Sequence, residues 1–417
     1  MTCCQRVVFG VLLMIATARP GLSQPPEPAA KGEPAAAASA VPVSGTIQVP
    51  GGLLFYEVMG QGDWLVLIHD GMLHRETWDA QLAPFGRYFK VVRYDRRGYG
   101  RSPAPTAPFS DLDDLYALFT QLQIDKACLV GMSAGGGLSI DFTLAHPEKV
   151  DALVLVGAVV SGYGYSMHMA TRGGHLTREI LSDPVRNRQY WCAEDPYVVA
   201  PQNTAARERV KALLEANPQN LDNTAGAQAQ PPPRPALGFL GEITAPTLIL
   251  VGEQDIPDVH AHAGAIQAGI HGSRRVIISG AGHLIPLEQP EAFNAEVLSF
   301  LQARGLEAAL DAGKTEDIQR ILRRIREQDP APSPRLEATV NLRAYRFLQD
   351  GHTDDALALF RIAVEIFPDS WNAYDSLGEG YAAKGQKELA VKAYKKSLEL
   401  NPANDNGREA LKRLEGP

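Results

Sequence analysis

Short apolar runs, each closed by glycine, serine or charge, dominate the first two thirds of the chain. Residues 64–68, 91–94, 127–130, 153–156, 247–251 and 275–278 are the clearest of them. Most are apolar at every position and do not alternate, which predicts strands covered on both faces, as in a parallel sheet flanked by helices. Almost ninety residues between 156 and 245 carry only weak strand signals. That stretch reads as a helical cap over about 158–240, and Gln230-Pro231-Pro232-Pro233-Arg234-Pro235 returns the chain to the sheet as an extended linker. The predicted class for the first part is α/β.

Beyond residue 303 the pattern changes period. Residues 350–356 realign with 384–390 at a shift of 34, Phe360 falls on Tyr394, and Phe367-Pro368 falls on Asn401-Pro402. A repeat of this length predicts stacked helix pairs. The all-α region is expected over 335–417, with a last helix from about Asp405 to Leu414, leaning on a helical connector over 304–334. The connector's proline-rich end, 329–334, cannot be helical throughout. At the other terminus Arg6 precedes the apolar run 7–15, and Ala16-Thr17-Ala18 fits a small-x-small cleavage site, with a second possible cut after Ser23. The expectation is a signal peptide over 1–23 and an exported chain, periplasmic or secreted. A disordered Pro/Ala-rich linker is expected over 24–42. The run is too short for an ordinary bilayer-spanning helix; an uncleaved N-terminal anchor is the alternative.

Candidate chemistry sits at the ends of the apolar runs. Gly131-Met132-Ser133-Ala134-Gly135 is G-x-S-x-G between a strand and a helix, the context in which a tight turn exposes a nucleophilic hydroxyl. Such a serine needs a base, and the base an orienting acid. The run 247–251 leads to Gly252-Glu253-Gln254-Asp255, and 275–278 leads to Ser279-Gly280-Ala281-Gly282-His283. Serine, acid and histidine thus follow strands in the order Ser133, Asp255, His283. Asp258 follows the same strand as Asp255, but is expected to cap the helix after Pro257. The run 64–68 ends in His69-Asp70-Gly71-Met72, a loop able to aim a backbone N–H at an oxyanion beside the N–H of Ala134.

The segments IHDGMLHRETWD, YDRRGYGRS, GMSAGG, LVGEQD and GAGHLIPLEQPEAFN together resemble the α/β-hydrolase superfamily, over roughly residues 45–303. The resemblance implies an α/β-hydrolase domain over 43–303 and a Ser133–His283–Asp255 triad. It implies acyl-enzyme hydrolysis of an ester-like carbonyl; lactone, amide or carbon–carbon cleavage are the alternatives. Relatives with dehalogenase or epoxide hydrolase chemistry carry aspartate where this chain has Ser133. One departure stands out: the family places glycine directly after the loop histidine, where this chain has Asp70. The oxyanion donors implied are Gly71 and Ala134, with Met72 possible. The C-terminal part resembles tetratricopeptide repeats, through the 34-residue shift and the loose W-x2-L-G-x2-Y match at 371–381. Such modules hold a peptide or protein partner, or serve as a stabilising appendage. A repeat-based scaffold carrying a vestigial hydrolase domain is the reading from another class.

Other features change the picture less. A length of 417 residues accommodates these domains. A net charge of −8 without a basic cluster argues against nucleic acid. His260 and His262 lie on different faces of a helix and make a poor metal pair, so neither metal nor cofactor is expected. Asp95, among arginines, reads as a structural ion pair, and His69 as a brace for its loop. Cys128 and Cys192 read as buried thiols. Tyr163, Tyr165, Met167, His168, Met169, Tyr190 and Trp191 either line a substrate pocket, otherwise unassigned, or pack the cap's own core.

Overall fold

The computed structural model describes residues 41–221, 224–328 and 334–416. The expected signal peptide, the expected linker up to residue 40, and residues 329–333 of the connector lie outside the described residues.

Eight strands form one sheet: β1 (Val43–Val49), β2 (Gly52–Met59), β3 (Trp64–Ile68), β4 (Lys90–Tyr94), β5 (Ala127–Met132), β6 (Val150–Val156), β7 (Thr247–Gly252) and β8 (Arg274–Ile278). Their order is β1-β2-β4-β3-β5-β6-β7-β8. β1 pairs antiparallel with β2, and β2 antiparallel with β4. The remaining pairs, from β4 to β8, are parallel. The continuous apolar runs follow from this arrangement. Leu65, Leu67, Val130, Val154 and Leu250 point into one core, with Trp78, Phe85 and Phe293. Val66, Ile68, Leu129, Leu155 and Ile249 point into the other, with Phe119, Phe142 and Ile266. A two-sided core leaves little polar alternation to read. β1 and β2 escaped the sequence reading because they lie at the sheet's margin, where burial is partial.

Between β6 and β7 the chain forms short helices, including Met167–Thr171, Pro184–Gln189 and Thr204–Ala216. This insertion is tied to the loop after β8: the N–H of His283 donates to the Tyr197 carbonyl at 2.8 Å, and that of Leu284 to Val198 at 3.1 Å. The insertion therefore stands at the carboxyl ends of the parallel strands, where open α/β sheets place ligands.

The C-terminal region is helical throughout its described residues. Helices Thr353–Ile366 and Lys387–Leu400 superpose in sequence at a shift of 34 at both ends, since 353 + 34 is 387 and 366 + 34 is 400. Helix Pro334–Gln349 begins at a proline, which suits a first helical position because its missing N–H would have no partner there. Ile318, Leu322 and Ile325 of the connecting helix Thr315–Gln328 share one core with Val340, Leu359 and Phe360 of the repeats.

Candidate active site

Ser133 sits between β5 and the helix Ala134–Ala145 with φ 52° and ψ −115°. A non-glycine residue there stores on the order of 1–3 kcal/mol of strain, so the surroundings must impose it. They do so through close packing at the two glycines. A Cβ on Gly131 would stand 2.3 Å from the Gly135 carbonyl oxygen and from Ser139 Oγ; one on Gly135 would stand 2.4 Å from the carbonyl oxygens of Ile68 and His69. The Ser133 N–H donates to the Val156 carbonyl at 2.8 Å, at the end of β6.

The next residue, Gly157, touches the other half of the site. Its Cβ position lies 3.0 Å from His283 Cε1 and Nδ1 and 3.3 Å from Asp255 Oδ2. His283 Nδ1 and Asp255 Oδ2 are 2.7 Å apart, with Asp255 buried at 4 % exposure. Asp255 Oδ1 accepts the Ile256 N–H at 2.7 Å, which fixes the carboxylate. Burial, the largest influence on His283, pushes its pKa down, but the Asp255 charge and hydrogen bond outweigh it and leave the imidazole above its ordinary value. The structure therefore gathers Ser133, Asp255 and His283 within one residue of the end of β6.

The loop after β3 is built around one peptide. The Asp70 carbonyl accepts from His69 Nδ1 at 2.7 Å and from Arg96 Nη1 at 3.4 Å. His69 Nε2 accepts the Arg96 N–H at 2.9 Å. Those two bonds require the neutral Nδ1–H tautomer, and burial, aided by Arg96, holds the His69 pKa well below its ordinary value. In a trans peptide the N–H points opposite to the C=O, so the Gly71 N–H is directed away from His69. Gly71 stands 3.6 Å, from its Cβ position, from Ala134 Cβ, and Tyr99 Oη donates to its carbonyl at 3.0 Å. Among the described residues neither the Gly71 nor the Ala134 N–H meets an acceptor. The Met72 N–H, the other donor expected from the sequence, is engaged: it donates to Asp70 Oδ1 at 2.5 Å, as does that of Leu73 at 2.8 Å. Asp70, the departure from the family's glycine, occupies the donor that Met72 would have offered.

Asp258 does not cap its helix, which starts at Pro257 with no side-chain cap. It reaches the insertion instead, accepting from the Ser166 N–H at 3.3 Å with His168 Nδ1 3.4 Å away. Asp95 is paired with Arg75 at 2.9 Å, and His262 Nδ1 accepts the Val160 N–H at 3.1 Å. Among the described residues no group of three or more His, Cys, Asp or Glu side chains is placed to hold a metal ion. Cys128 and Cys192 are both free and buried. Of the insertion's aromatic residues, Tyr190 is buried and donates to Asp195 at 3.1 Å, whereas Tyr163 and Tyr165 line a cavity beside Ala134.

The sequence reading missed several supports. Glu288 accepts the N–H groups of Gly282 at 2.9 Å and Ala200 at 2.7 Å, clamping the His283 loop to the insertion. Arg172 and Asp195 make a buried bidentate pair at 2.8 and 3.0 Å. The Glu288–Ala200 and Arg172–Asp195 contacts join residues 88 and 23 positions apart in the chain, which leaves no local signal.

Residues 65–296 match the alpha/beta hydrolase family, more than half of the chain. The chain belongs to the alpha/beta hydrolase family. Residues 371–404 match the tetratricopeptide repeat. One relative of this hydrolase is the 2-hydroxy-6-oxononadienedioate/2-hydroxy-6-oxononatrienedioate hydrolase of Klebsiella pneumoniae, 34% identical over 228 residues, 51% of this chain and 76% of the relative. An N-acyl homoserine lactone degrading enzyme is similar in structure, with a TM-score of 0.52 and 25% identity over 61% of this chain and 100% of its own. A thermophilic esterase from Thermogutta terrifontis has a TM-score of 0.50 and 25% identity over 63% of this chain and 98% of its own. Proteins similar to this one thus include a hydrolase of a 2-hydroxy-6-oxo dienedioate, a lactone-degrading enzyme and an esterase.

Proposed function

We propose that this hydrolase cleaves an ester or lactone through Ser133, His283 and Asp255. The observation that supports it most is the 2.7 Å His283–Asp255 contact, held at the end of β6 beside a serine in a strained turn. Ser133 Oγ attacks the carbonyl carbon while His283 Nε2 takes its proton, and Asp255 stabilises the imidazolium. The tetrahedral oxyanion is received by the N–H groups of Gly71 and Ala134, the latter reinforced by its position at a helix N-terminus. His283 then protonates the leaving alcohol. A water, deprotonated by the same imidazole, releases the acid and restores Ser133.

Carbon–carbon hydrolysis is the second reading, favoured by the Klebsiella relative. A dioate substrate needs free cations, and here Arg96 is paired with Asp111 at 2.7 Å and Arg172 with Asp195. A panel of p-nitrophenyl esters, lactones and a dienoate, run beside a serine-reactive phosphonate probe, tests the proposal. Probe labelling with ester turnover, both absent in Ser133→Ala, is expected. Turnover of the dienoate alone favours the second reading, and an unlabelled, inactive protein refutes both.

A further inference from the structure

A cavity of about 300 Å³ opens at Ala134 and follows the outer face of the helix Ala134–Ala145 towards Asp141, roofed by residues 159–163 and Tyr165. Its volume is at the lower end of the range for small-molecule sites. Ala134, whose N–H is one of the proposed oxyanion donors, lines it, so the cavity adjoins the proposed site at that residue. Three of its wall residues carry formal charge. Arg96 and Asp111 neutralise one another through bonds of 3.3 and 2.7 Å. Asp141 has no cation: its Oδ1 receives the Ser161 hydroxyl at 3.1 Å, and among the described residues its Oδ2 has no partner. The Ser161 oxygen in turn accepts the Ala236 N–H at 2.8 Å, which fixes the hydroxyl towards the carboxylate.

Tyr163 and Tyr165 line the same cavity as this carboxylate. The rings of Tyr163 and Tyr165 rest on the His262 imidazole, with centroids 4.7 and 5.7 Å from it, and remain 37% and 62% exposed. A partnerless carboxylate beside exposed aromatic rings suits an organic cation, which gains from the charge and from the ring quadrupoles. We propose that this cavity binds a cationic tail, a protonated amine or quaternary ammonium, on the ester or lactone that the hydrolase cleaves. The inference rests on the proposed ester or lactone hydrolysis. Burial pushes the Asp141 carboxyl up to about 6, which leaves it ionised at neutral pH. Burial also lowers the pKa of His262, so that ring is neutral and does not compete as a cation.

The test uses the full chain and two isosteric pairs. Acetylcholine is compared with 3,3-dimethylbutyl acetate, and glycine betaine ethyl ester with ethyl 3,3-dimethylbutyrate, each rate divided by its spontaneous hydrolysis. The cation should raise kcat/KM by about tenfold in at least one pair, the scale expected for one partly desolvated cation contact. Asp141→Asn should bring that ratio close to one, and Tyr165→Ala should lower it. Asp125→Asn, the same charge change at an exposed site remote from the cavity, should leave it intact. Turnover of the neutral esters with no cationic preference in the wild type overturns the cation site while sparing ester hydrolysis. A preference that survives both Asp141→Asn and Tyr165→Ala does the same. No turnover of these esters, of p-nitrophenyl esters or of lactones removes the hydrolysis reading, and the cation site with it.

Discussion

At the scale of single residues the question is which acid serves His283 and how the pair titrates. Asp255 contacts the imidazole at 2.7 Å, while Asp258 faces Ser166 and His168 in the insertion. Asp255→Asn keeps the shape but loses the charge that stabilises imidazolium, and should lower kcat by roughly three to four orders of magnitude. Asp258→Asn should leave kcat within about twofold, as expected away from the reacting atoms. An assay with the two results exchanged would transfer the role to Asp258. The sequence order pointed to Asp255 through its position at the first bend after the strand; the task of Asp258 was hidden because its partners are about ninety residues upstream. The pH dependence follows from the same contact. The His283 pKa lies above its ordinary 6.5 in the folded protein, so the pair's contribution to stability is fully present below about 6.5 and is lost as pH rises through the folded value. Catalysis runs the other way, because the base must be neutral. The acid limb of kcat/KM should therefore lie above pH 6.5, and Asp255→Asn, which leaves burial as the main influence, should move the residual activity's limb below it. A wild-type limb below 6.5 would contradict the charged contact.

At the scale of elements, loops that follow strands carry the proposed chemistry, and their backbone geometry decides how much of it can be read from sequence. G-x-S-x-G was legible because both glycines answer a local need: the turn leaves no room for a Cβ at Gly131 or Gly135. The continuous runs of β3 to β7 were legible because both their faces are buried. The loop 69–72 was harder to read. Its donors depend on where Asp70 sends its carboxylate, and only the folded loop reveals that the Met72 N–H is occupied. Glu288, Asp141 and Tyr197 were invisible for a related reason: each acts on an element remote in sequence. The loop reading predicts a specific loss. His69 holds the Asp70 carbonyl and, through that rigid peptide, the direction of the Gly71 N–H. His69→Ala should release the peptide and cost about 10² in kcat, the scale for one oxyanion donor, with little change in KM. An effect confined to KM would mean that the Gly71 N–H does not serve the transition state.

At the scale of the whole molecule, the repeats and the candidate site lie at opposite ends of the strands. Ser133, Asp255 and His283 follow the carboxyl ends of β5, β7 and β8, whereas Arg304 and Arg324 approach Asp63, just before the start of β3. Arg304 also covers Phe89, which precedes β4, with 5.4 Å between guanidinium and ring. The helix Thr315–Gln328 belongs energetically to the repeats. Ile318, Leu322 and Ile325 are almost fully buried, and much of their cover comes from residues 340–363. Exposing each side chain costs about 1.5–3 kcal/mol, so a chain cut at Asp329 would carry a bare apolar stripe. The sequence placed a natural break there because prolines cluster at 329–334, but the packing places it earlier. A chain ending at Arg304 keeps that residue's own contacts with Asp63 and Phe89, loses the one from Arg324, and removes the whole shared helical core. That truncation should stay soluble and monomeric and hydrolyse a small ester within about threefold of the full chain, as expected when no group near the reacting atoms is altered. The cut at Asp329 should aggregate or bind a hydrophobic dye, while any folded fraction retains its turnover. If the chain ending at Arg304 folds, as judged by circular dichroism and a cooperative melt, yet loses ester turnover, the repeats act on the catalytic loops through the sheet and the two ends of the molecule are coupled.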